Sequence, residues 1–232
     1  MVFFASAESP GGRFCRSQRR EILPEPRTPQ PLYASAESPA RGFCRHGSSL
    51  NMSVREKTIL PNEIYFITFT ILGWQKVFIS DKYCQLVFKW FDYAKNIYGN
   101  KLHGYVIMPN HIHCLLYISE KSKSLPILIF NAKRFLAYGI VKLLEEERGF
   151  QLLSYFQKNK IKPRARHKVF EDRYDSQIIQ SRKFFLEKLN YIHNNLCSEK
   201  WRLARNPENY QYSSASNYVL GKGLYEVDLV DF

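Results

Sequence analysis

The sequence predicts an α+β fold: a ferredoxin-like β-α-β-β-α-β antiparallel sheet with helices on one face and an extra C-terminal helix. Three observations support this prediction. Two short β-branched and aromatic runs flank the pair Pro109-Asn110, which indicates a β-hairpin. A similar run precedes the hairpin, from Ile64 to Leu72. Segments with apolar residues at helical spacing lie between and after these runs.

The first strand and the first helix come from simple patterns. The run from Ile64 to Leu72 has the composition of a buried strand. Asp81 is a suitable N-cap, and apolar residues then recur at spacings of three and four. Gly99 and Asn100 suit a C-cap. We therefore expect one helix between these two signals.

The hairpin carries two histidines just after its turn. Its arms are Tyr105 to Met108 and Ile112 to Ile118. Because a strand has a period of two, His111 and His113 should point to one face, roughly 6.6 Å apart along the strand. Ile112 should face the core. Two polar rings on an apolar strand need partners, and a divalent metal is one such partner.

The next segments are a helix and a basic stretch. Leu125 to Gly149 has a helical pattern, and short strand pieces are expected at Val169-Phe170 and at 177–179. The basic stretch runs from Phe156 to Lys168, and Pro163 argues against a helix there. Its side chains are candidate DNA-phosphate contacts, although such a run is often only a solvated loop. The candidates are Lys158, Lys160, Lys162, Arg164, Arg166 and Lys168.

The last helix carries a second set of chemically interesting side chains. Ser181 opens a helix from Arg182 to Asn194, and irregular chain is expected from Trp201 onwards. Tyr191 and Asn195 are four residues apart, so they share one face of the helix.

Packing of this helix beside the hairpin would bring Tyr191 and Asn195 close to the two imidazoles. Two His and one Asn oxygen make a three-ligand site with open positions, suited to Mg²⁺ or Mn²⁺. In such a site Tyr191 is the candidate nucleophile for a phosphate ester, and His111, His113 and Asn195 are the candidate ligands.

Composition limits the classes of partner. The chain of 232 residues has a formal charge of +13, which favours a polyanion such as nucleic acid. No apolar run reaches about 18 residues, so we expect no membrane partner. The five cysteines have no metal-type spacing, and reduced thiols in a cytoplasmic, nucleoid-associated protein are the simplest interpretation.

The first 51 residues differ in composition from residues 52–232. The run from Phe4 to Arg16 recurs, with small changes, from Tyr33 to Arg45, and a Pro-rich stretch lies between the copies. We expect a low-complexity, disordered extension at 1–51 and a catalytic domain at 52–232. The extension is either a basic nucleic-acid-binding arm or a non-functional tail upstream of a true start at Met52. We favour the tail.

The hairpin resembles the HUH signature of single-tyrosine transposases. The matching residues are Tyr105-Val-Ile-Met-Pro-Asn-His-Ile-His-Cys-Leu-Leu116. The last helix is similar to the Tyr-Ile-x-x-Asn-Pro motif of the subgroup called REP-associated tyrosine transposases, through Tyr191-Ile-His-Asn-Asn195. Leu196 stands where that motif has Pro. A third similarity, to the subgroup's C-terminal motif, comes from Trp201, Pro207-Glu-Asn-Tyr210 and Tyr212-Ser-Ser214.

This resemblance spans about residues 60–215, and the extension has no counterpart in it. It implies that His111, His113 and Asn195 bind the metal and that Tyr191 is the nucleophile. The implied reaction is cleavage of single-stranded DNA near a hairpin through a 5′-phosphotyrosine link, followed by strand transfer. The implied partners are single-stranded or hairpin DNA, and the protein would act as a monomer or a homodimer.

Two other functions remain open. One is a nucleic-acid-binding module on a ferredoxin-like sheet that has lost catalysis. The other is a metal-dependent phosphodiesterase that uses water. His193 lies about 200° round the helix from Tyr191, so we expect it to face solvent or DNA. His103 is expected to be a hydrogen-bonded residue at the start of a strand.

Removal of residues 1–51 should leave DNA cleavage nearly unchanged, because the extension has too little apolar surface to support the folded domain. The measurement compares the cleavage rates and the solubility of the full chain and the truncated chain. A large loss of either property in the truncated chain would contradict the interpretation of the extension as a non-functional tail.

Overall fold

The architecture is taken from a computed structural model, which describes residues 60–122, 124–160 and 166–230. The extension at 1–51 lies outside the described residues, as do Lys162 and Arg164 of the basic stretch. Within the described part of the chain, no helix has the length and the apolar character that crossing a membrane requires.

Four antiparallel strands form one sheet in the order β2-β3-β1-β4. This is the ferredoxin-like order, and it confirms the predicted fold class. The hairpin joins β2 to β3, and β1 pairs with β3 along its whole length. The strands are β1 (Glu63–Thr70), β2 (Lys101–Met108), β3 (His111–Ile118) and β4 (Asp175–Ile178).

Five α-helices and two short 3₁₀ turns lie within the described residues. The helices are α1 (Asp81–Tyr98), α2 (Leu125–Glu146), α3 (Phe150–Lys158), α4 (Arg182–Asn195) and α5 (Ala215–Leu220). The 3₁₀ turns are Leu72–Trp74 and Pro207–Asn209.

Helix α1 has the predicted extent but a different cap. Ser80 is the N-cap, with extended backbone angles, and Asp81 is the first helical residue. An acidic group in the first turn is favourable because the helix dipole is positive there. Gly99 ends the helix in the left-handed conformation, with φ of 68°, and its N–H donates to the carbonyl of Lys95 at 2.8 Å.

The sheet buries a different set of side chains on each face. One face, the core face, packs against α1 and α2; its strand residues include Tyr65, Ile67, Phe69, Ile112 and Leu116. The opposite face, the site face, packs against α4; its apolar strand residues are Phe66, Val106, Met108 and Leu115. Because side chains alternate along a strand, His111 and His113 belong to the site face and Ile112 to the core face, as predicted.

The segment after α2 differs from the sequence prediction. The expected single helix from Leu125 to Gly149 ends at Glu146, and Arg148 then takes a left-handed φ of 57°. A further helix, α3, follows and runs into the stretch expected to be non-helical. It ends at Lys158, so Pro163 remains outside it. Among the residues that the structure describes, the expected strand at Val169-Phe170 takes part only in an isolated bridge from Phe170 to Ile71.

The C-terminal tail is more regular than predicted, and it covers the outer edge of β2. It contains α5 and a 3₁₀ turn. The N–H of Ile107 donates to the carbonyl of Tyr212 at 2.9 Å, and the N–H of Asp228 donates to the carbonyl of Leu102 at 2.7 Å. These bonds pair backbone groups that an open edge strand would leave exposed.

Replacement of Leu189 by Ala should lower the free energy of unfolding by about 2–5 kcal/mol, because Leu189 is 4% exposed between α4 and the site face. Urea unfolding measures this change. Leu186→Ala on the same helix is the matched control: its side chain is 46% exposed, and we expect a loss within about 0.5 kcal/mol. Equal losses in the two variants would contradict the packing of α4 described above.

Candidate active site

The two hairpin histidines lie side by side on the site face. Their ring centroids are 4.7 Å apart, closer than the spacing along the strand alone would give. His111 is 5% exposed and His113 is 4% exposed. The ring of Phe66 stacks on His113 at 5.5 Å. The imidazoles are therefore held in a nearly closed environment.

Each ring is held through its Nδ1 atom. His113 Nδ1 lies 2.7 Å from the Thr68 hydroxyl, which is opposite it in the β1–β3 pairing. His111 Nδ1 lies 2.7 Å from Asn110 Oδ1. The Nδ2 group of Asn110 donates to the carbonyl of Trp74 at 3.1 Å, so its Oδ1 is free to accept from His111. This assigns the proton of His111 to Nδ1 and leaves a lone pair on Nε2.

Burial keeps both imidazoles uncharged at neutral pH. Burial, with a smaller contribution from the nearby ammonium group of Lys200, lowers the pKa of His111 to about 4. Burial lowers the pKa of His113 to about 3, with a smaller contribution from His111. A metal ligand must be a neutral imidazole, so both rings are in the protonation state that binds metal.

Helix α4 brings Tyr191 and Asn195 to these rings. Asn195 Nδ2 lies 3.2 Å from His113 Nε2, where it can donate a hydrogen bond. The ring of Tyr191 meets the ring of His113 edge-on at 5.3 Å, and it also contacts Phe66 at 5.9 Å. Tyr191 is 49% exposed, so its side chain is within reach of a large substrate.

The described residues contain no group of three or more His, Cys, Asp or Glu side chains able to hold a metal ion. The candidate set has two imidazoles and one amide. The Nδ1 bond of His111 leaves its Nε2 for a metal, and rotation of the Asn195 amide would both release the Nε2 of His113 and present the amide oxygen. This mixed nitrogen and oxygen set fits a divalent ion that keeps open positions.

His193 is not exposed, contrary to the sequence prediction. It is fully buried, and its Nε2 lies 2.9 Å from the hydroxyl of Ser214 in the tail motif. Its ring also contacts Tyr218 at 5.4 Å. Burial lowers its pKa to about 4. The helix face opposite the site is covered by the C-terminal tail, which a periodicity argument on α4 alone could not detect.

His103 lies in β2, near the start of the strand, and it has a hydrogen-bond partner, as predicted. Its Nδ1 donates to the carbonyl of Asp228 at 2.6 Å, and burial lowers its pKa. It lies close to Phe185, at a ring distance of 6.1 Å. It therefore helps to hold the tail against β2.

Two lysines near the site were not identified from the sequence. Lys188 Nζ lies 5.2 Å from the ring of Phe66, next to Tyr191. Lys200 Nζ lies 5.4 Å from the ring of Trp74 and 5.0 Å from the ring of Trp201. Both ammonium groups therefore lie beside the candidate site. Helical spacing from Tyr191 could have indicated Lys188, whereas Lys200 follows a turn whose direction only the fold reveals.

The candidate phosphate-contact residues of the basic stretch differ in how exposed their side chains are. Lys158, Lys160 and Arg166 are exposed. Lys168 is less accessible to DNA than these three residues. Its Nζ forms an ion pair with a carboxylate oxygen of Asp172 at 2.8 Å, and its side chain is only 17% exposed. The other two members of the candidate set, Lys162 and Arg164, lie outside the described residues.

Acid should destabilise the protein, because the buried histidines His111, His113 and His193 have pKa values of about 4, 3 and 4, against about 6.5 in an unfolded chain. Below pH 6.5 the unfolded chain binds more protons than the folded protein. The stability that comes from keeping these histidines neutral is therefore fully present above that pH and is lost as the pH falls toward 4. Each histidine contributes a slope of about 1.4 kcal/mol per pH unit.

Urea unfolding between pH 7.5 and pH 4.5 measures this loss. In the His193→Gln variant the slope should be shallower by about 1.4 kcal/mol per pH unit, because one titrating group is removed. The same slope in the variant and in the wild-type protein would mean that His193 already carries its proton in the folded state at these pH values.

Comparisons with known proteins gave a match only at the level of structure. No family model matches the sequence, and neither does any curated protein. A REP-associated tyrosine transposase solved bound to a REP hairpin matches with a TM-score of 0.53 and 16% identity, covering 78% of this chain and 95% of that one. A Deinococcus radiodurans R1 protein assigned as a transposase has 16% identity and a TM-score of 0.35, with 60% and 95% covered, which is too distant to support an argument. The chain therefore has the fold of a REP-associated tyrosine transposase, the group that its motifs resemble.

Proposed function

We propose that the protein nicks single-stranded DNA at hairpin-type repeats and transfers the strand through a 5′-phosphotyrosine intermediate. Tyr191 is the nucleophile, and His111, His113 and Asn195 are the metal ligands. One observation carries the proposal: Asn195 Nδ2 lies 3.2 Å from His113 Nε2, and Tyr191, one helical turn before Asn195, packs against the same ring.

The fold supports DNA as the substrate. The solved transposase that shares this fold was bound to a REP hairpin. The formal charge of +13 attracts a polyanion, and Lys188 and Lys200 lie beside the candidate site. A DNA strand that reaches the exposed side chain of Tyr191 would lie close to these charges.

The ligands would hold Mg²⁺ or Mn²⁺ through His111 Nε2, His113 Nε2 and the oxygen of Asn195. When bound, such an ion neutralises charge on the scissile phosphate and orients it. Thr68 and Asn110 fix the two rings through their Nδ1 atoms, which is the usual role of groups behind metal-binding histidines.

The chemical step is a transesterification. The phenol oxygen of Tyr191 forms a bond to phosphorus, and the bond from phosphorus to the 3′ oxygen breaks. Tyr191 releases its proton to solvent, and the departing 3′ oxygen takes one up, so atoms and charge balance. The 3′-OH of another strand can reverse the step and release Tyr191. The covalent link conserves the energy of the phosphodiester, so no nucleotide cofactor is required.

Tyr191→Phe should abolish covalent attachment to DNA, because the phenyl ring keeps the packing against His113 and Phe66 but has no attacking oxygen. The assay uses strands with a hairpin stem and randomised flanks, labelled at the 3′ end, in Mn²⁺ or Mg²⁺. A 5′-phosphotyrosine link leaves the 3′ label on the protein, so wild-type protein should give a labelled band in a denaturing gel. Strands labelled at the 5′ end should instead give a free product ending in 3′-OH.

Tyr138→Phe is the matched control, since Tyr138 is an exposed tyrosine on α2, which packs on the opposite face of the sheet. It should form the adduct as the wild-type protein does. EDTA should suppress the adduct, and added Mn²⁺ should restore it. Cleavage that persists in Tyr191→Phe would identify water or another residue as the nucleophile. Binding without any adduct in the wild-type protein would favour a catalytically inactive binding module.

A further inference from the structure

Trp74 is an exposed tryptophan in a strained position beside the candidate site. Its side chain is 56% exposed. Its φ is 57°, directly after Gly73 at 59°, so two consecutive residues have left-handed backbone. A bulky residue in this conformation costs free energy and persists only where its surroundings hold it. The fold therefore retains a large apolar surface in water at this turn.

The turn that carries Trp74 is held on two sides. The N–H of Ile71 donates to the carbonyl of Asn110 at 2.9 Å, which fixes the turn to the hairpin. The N–H of Leu72 donates to the carbonyl of Val169 at 2.8 Å, and the N–H of Gly73 donates to a carboxylate oxygen of Glu171 at 2.8 Å. Trp74 is thus presented on a fixed support.

The same turn is connected to a candidate metal ligand. The amide of Asn110 donates to the carbonyl of Trp74 and accepts from His111, so one side chain joins the two residues. The indole ring of Trp74 lies 5.7 Å from the imidazole ring of His111. The indole ring of Trp201 lies 5.4 Å from the same imidazole. The two indoles therefore border the His111 end of the site.

A cation accompanies the two indoles. Lys200 Nζ lies over both rings, at 5.4 Å from Trp74 and 5.0 Å from Trp201. Proteins that bind unpaired nucleic acid combine flat aromatic surfaces for the bases with positive charges for the backbone. An exposed indole next to an exposed ammonium group, beside the candidate active site, has the composition of a nucleotide subsite.

The order of the side chains along β3 indicates the direction in which a bound DNA strand would run across the site. Tyr191 packs on His113 and Phe66, whereas Trp74 and Trp201 lie at His111, nearer the hairpin turn. In a phosphoryl transfer the attacking and leaving oxygens are roughly in line on opposite sides of phosphorus. A phosphate held between Tyr191 and the indoles would therefore direct its leaving 3′ oxygen toward the indoles.

We propose that Trp74, together with Trp201 and Lys200, binds the unpaired nucleotide on the 5′ side of the cut, with its base stacked on Trp74 and its phosphate near Lys200. The assignment of the side rests on the proposed nicking by Tyr191. The stacking itself does not. The subsite would hold the released 3′-OH end close to the phosphotyrosine, where it is needed to rejoin the strand.

The first experiment tests stacking without any cleavage. Oligothymidylate of about 15 nucleotides is added to the protein in EDTA, and tryptophan fluorescence is recorded. Stacking of thymine on an indole should quench emission in the wild-type protein, and most of this quench should disappear in Trp74→Phe, which keeps an aromatic ring and should bind about as tightly. Trp74→Ala should bind about tenfold more weakly. Tyr138→Ala, an exposed aromatic on α2, should bind as the wild-type protein does.

A quench of equal size in Trp74→Phe and in the wild-type protein, or unchanged affinity in Trp74→Ala with an unchanged melting temperature, would overturn the subsite. These outcomes do not depend on covalent chemistry. If the wild-type protein forms no adduct in the cleavage assay but oligothymidylate still quenches Trp74, the nicking activity is rejected and the nucleotide subsite is retained.

The second experiment tests the side of the cut. Strands with a mapped cut receive one abasic nucleotide immediately 5′ or immediately 3′ of it, and binding is measured in EDTA with Tyr191→Phe protein. The 5′ abasic strand should bind about tenfold more weakly, and this loss should vanish when Trp74→Ala is added. A loss coupled to Trp74 only at the 3′ abasic position would overturn the assignment.

Discussion

Burial of both faces of the sheet is the constraint on which the rest of this structure depends. The core face is closed by α1 and α2, and the site face is closed by α4. Strand β3 supplies Ile112 and Leu116 to one face and the two histidines to the other, so one strand serves the core and the site at once. Any shift of register by one residue would exchange these roles.

The fold was largely predictable because its signals are local. The hairpin turn, the left-handed cap at Gly99 and the N-cap at Ser181 are each encoded by neighbouring residues. Helix α3 was not predicted, because Pro163 and the basic residues around it indicate irregular chain, whereas the helix ends at Lys158, before that proline. The regular structure of the tail was missed because its backbone partners lie in β2, more than a hundred residues earlier.

The candidate site was predicted in part. The same-face positions of His111 and His113, and of Tyr191 and Asn195, follow from strand and helix periods, and the fold brings the two pairs together. The groups that hold the histidine rings in place could be identified only from the tertiary structure. Thr68 pairs with His113 only through the register of β1 against β3, and no sequence pattern gives that register. His193 was misjudged for the same reason, since the tail that buries it is distant in sequence.

The side chain of Asn110 restricts how the hairpin can evolve. It donates to one carbonyl, accepts from one imidazole and sits in a tight turn, and its backbone carbonyl also receives the N–H of Ile71. Asp has the same length but no donor, and it would set a negative charge beside His111. Ser has a single hydroxyl that cannot span both partners, and Gln is one carbon too long for the turn. A lineage that loses this amide must rebuild the Trp74 turn and the orientation of His111 in the same step, so this position should tolerate far less change than the exposed faces of α2.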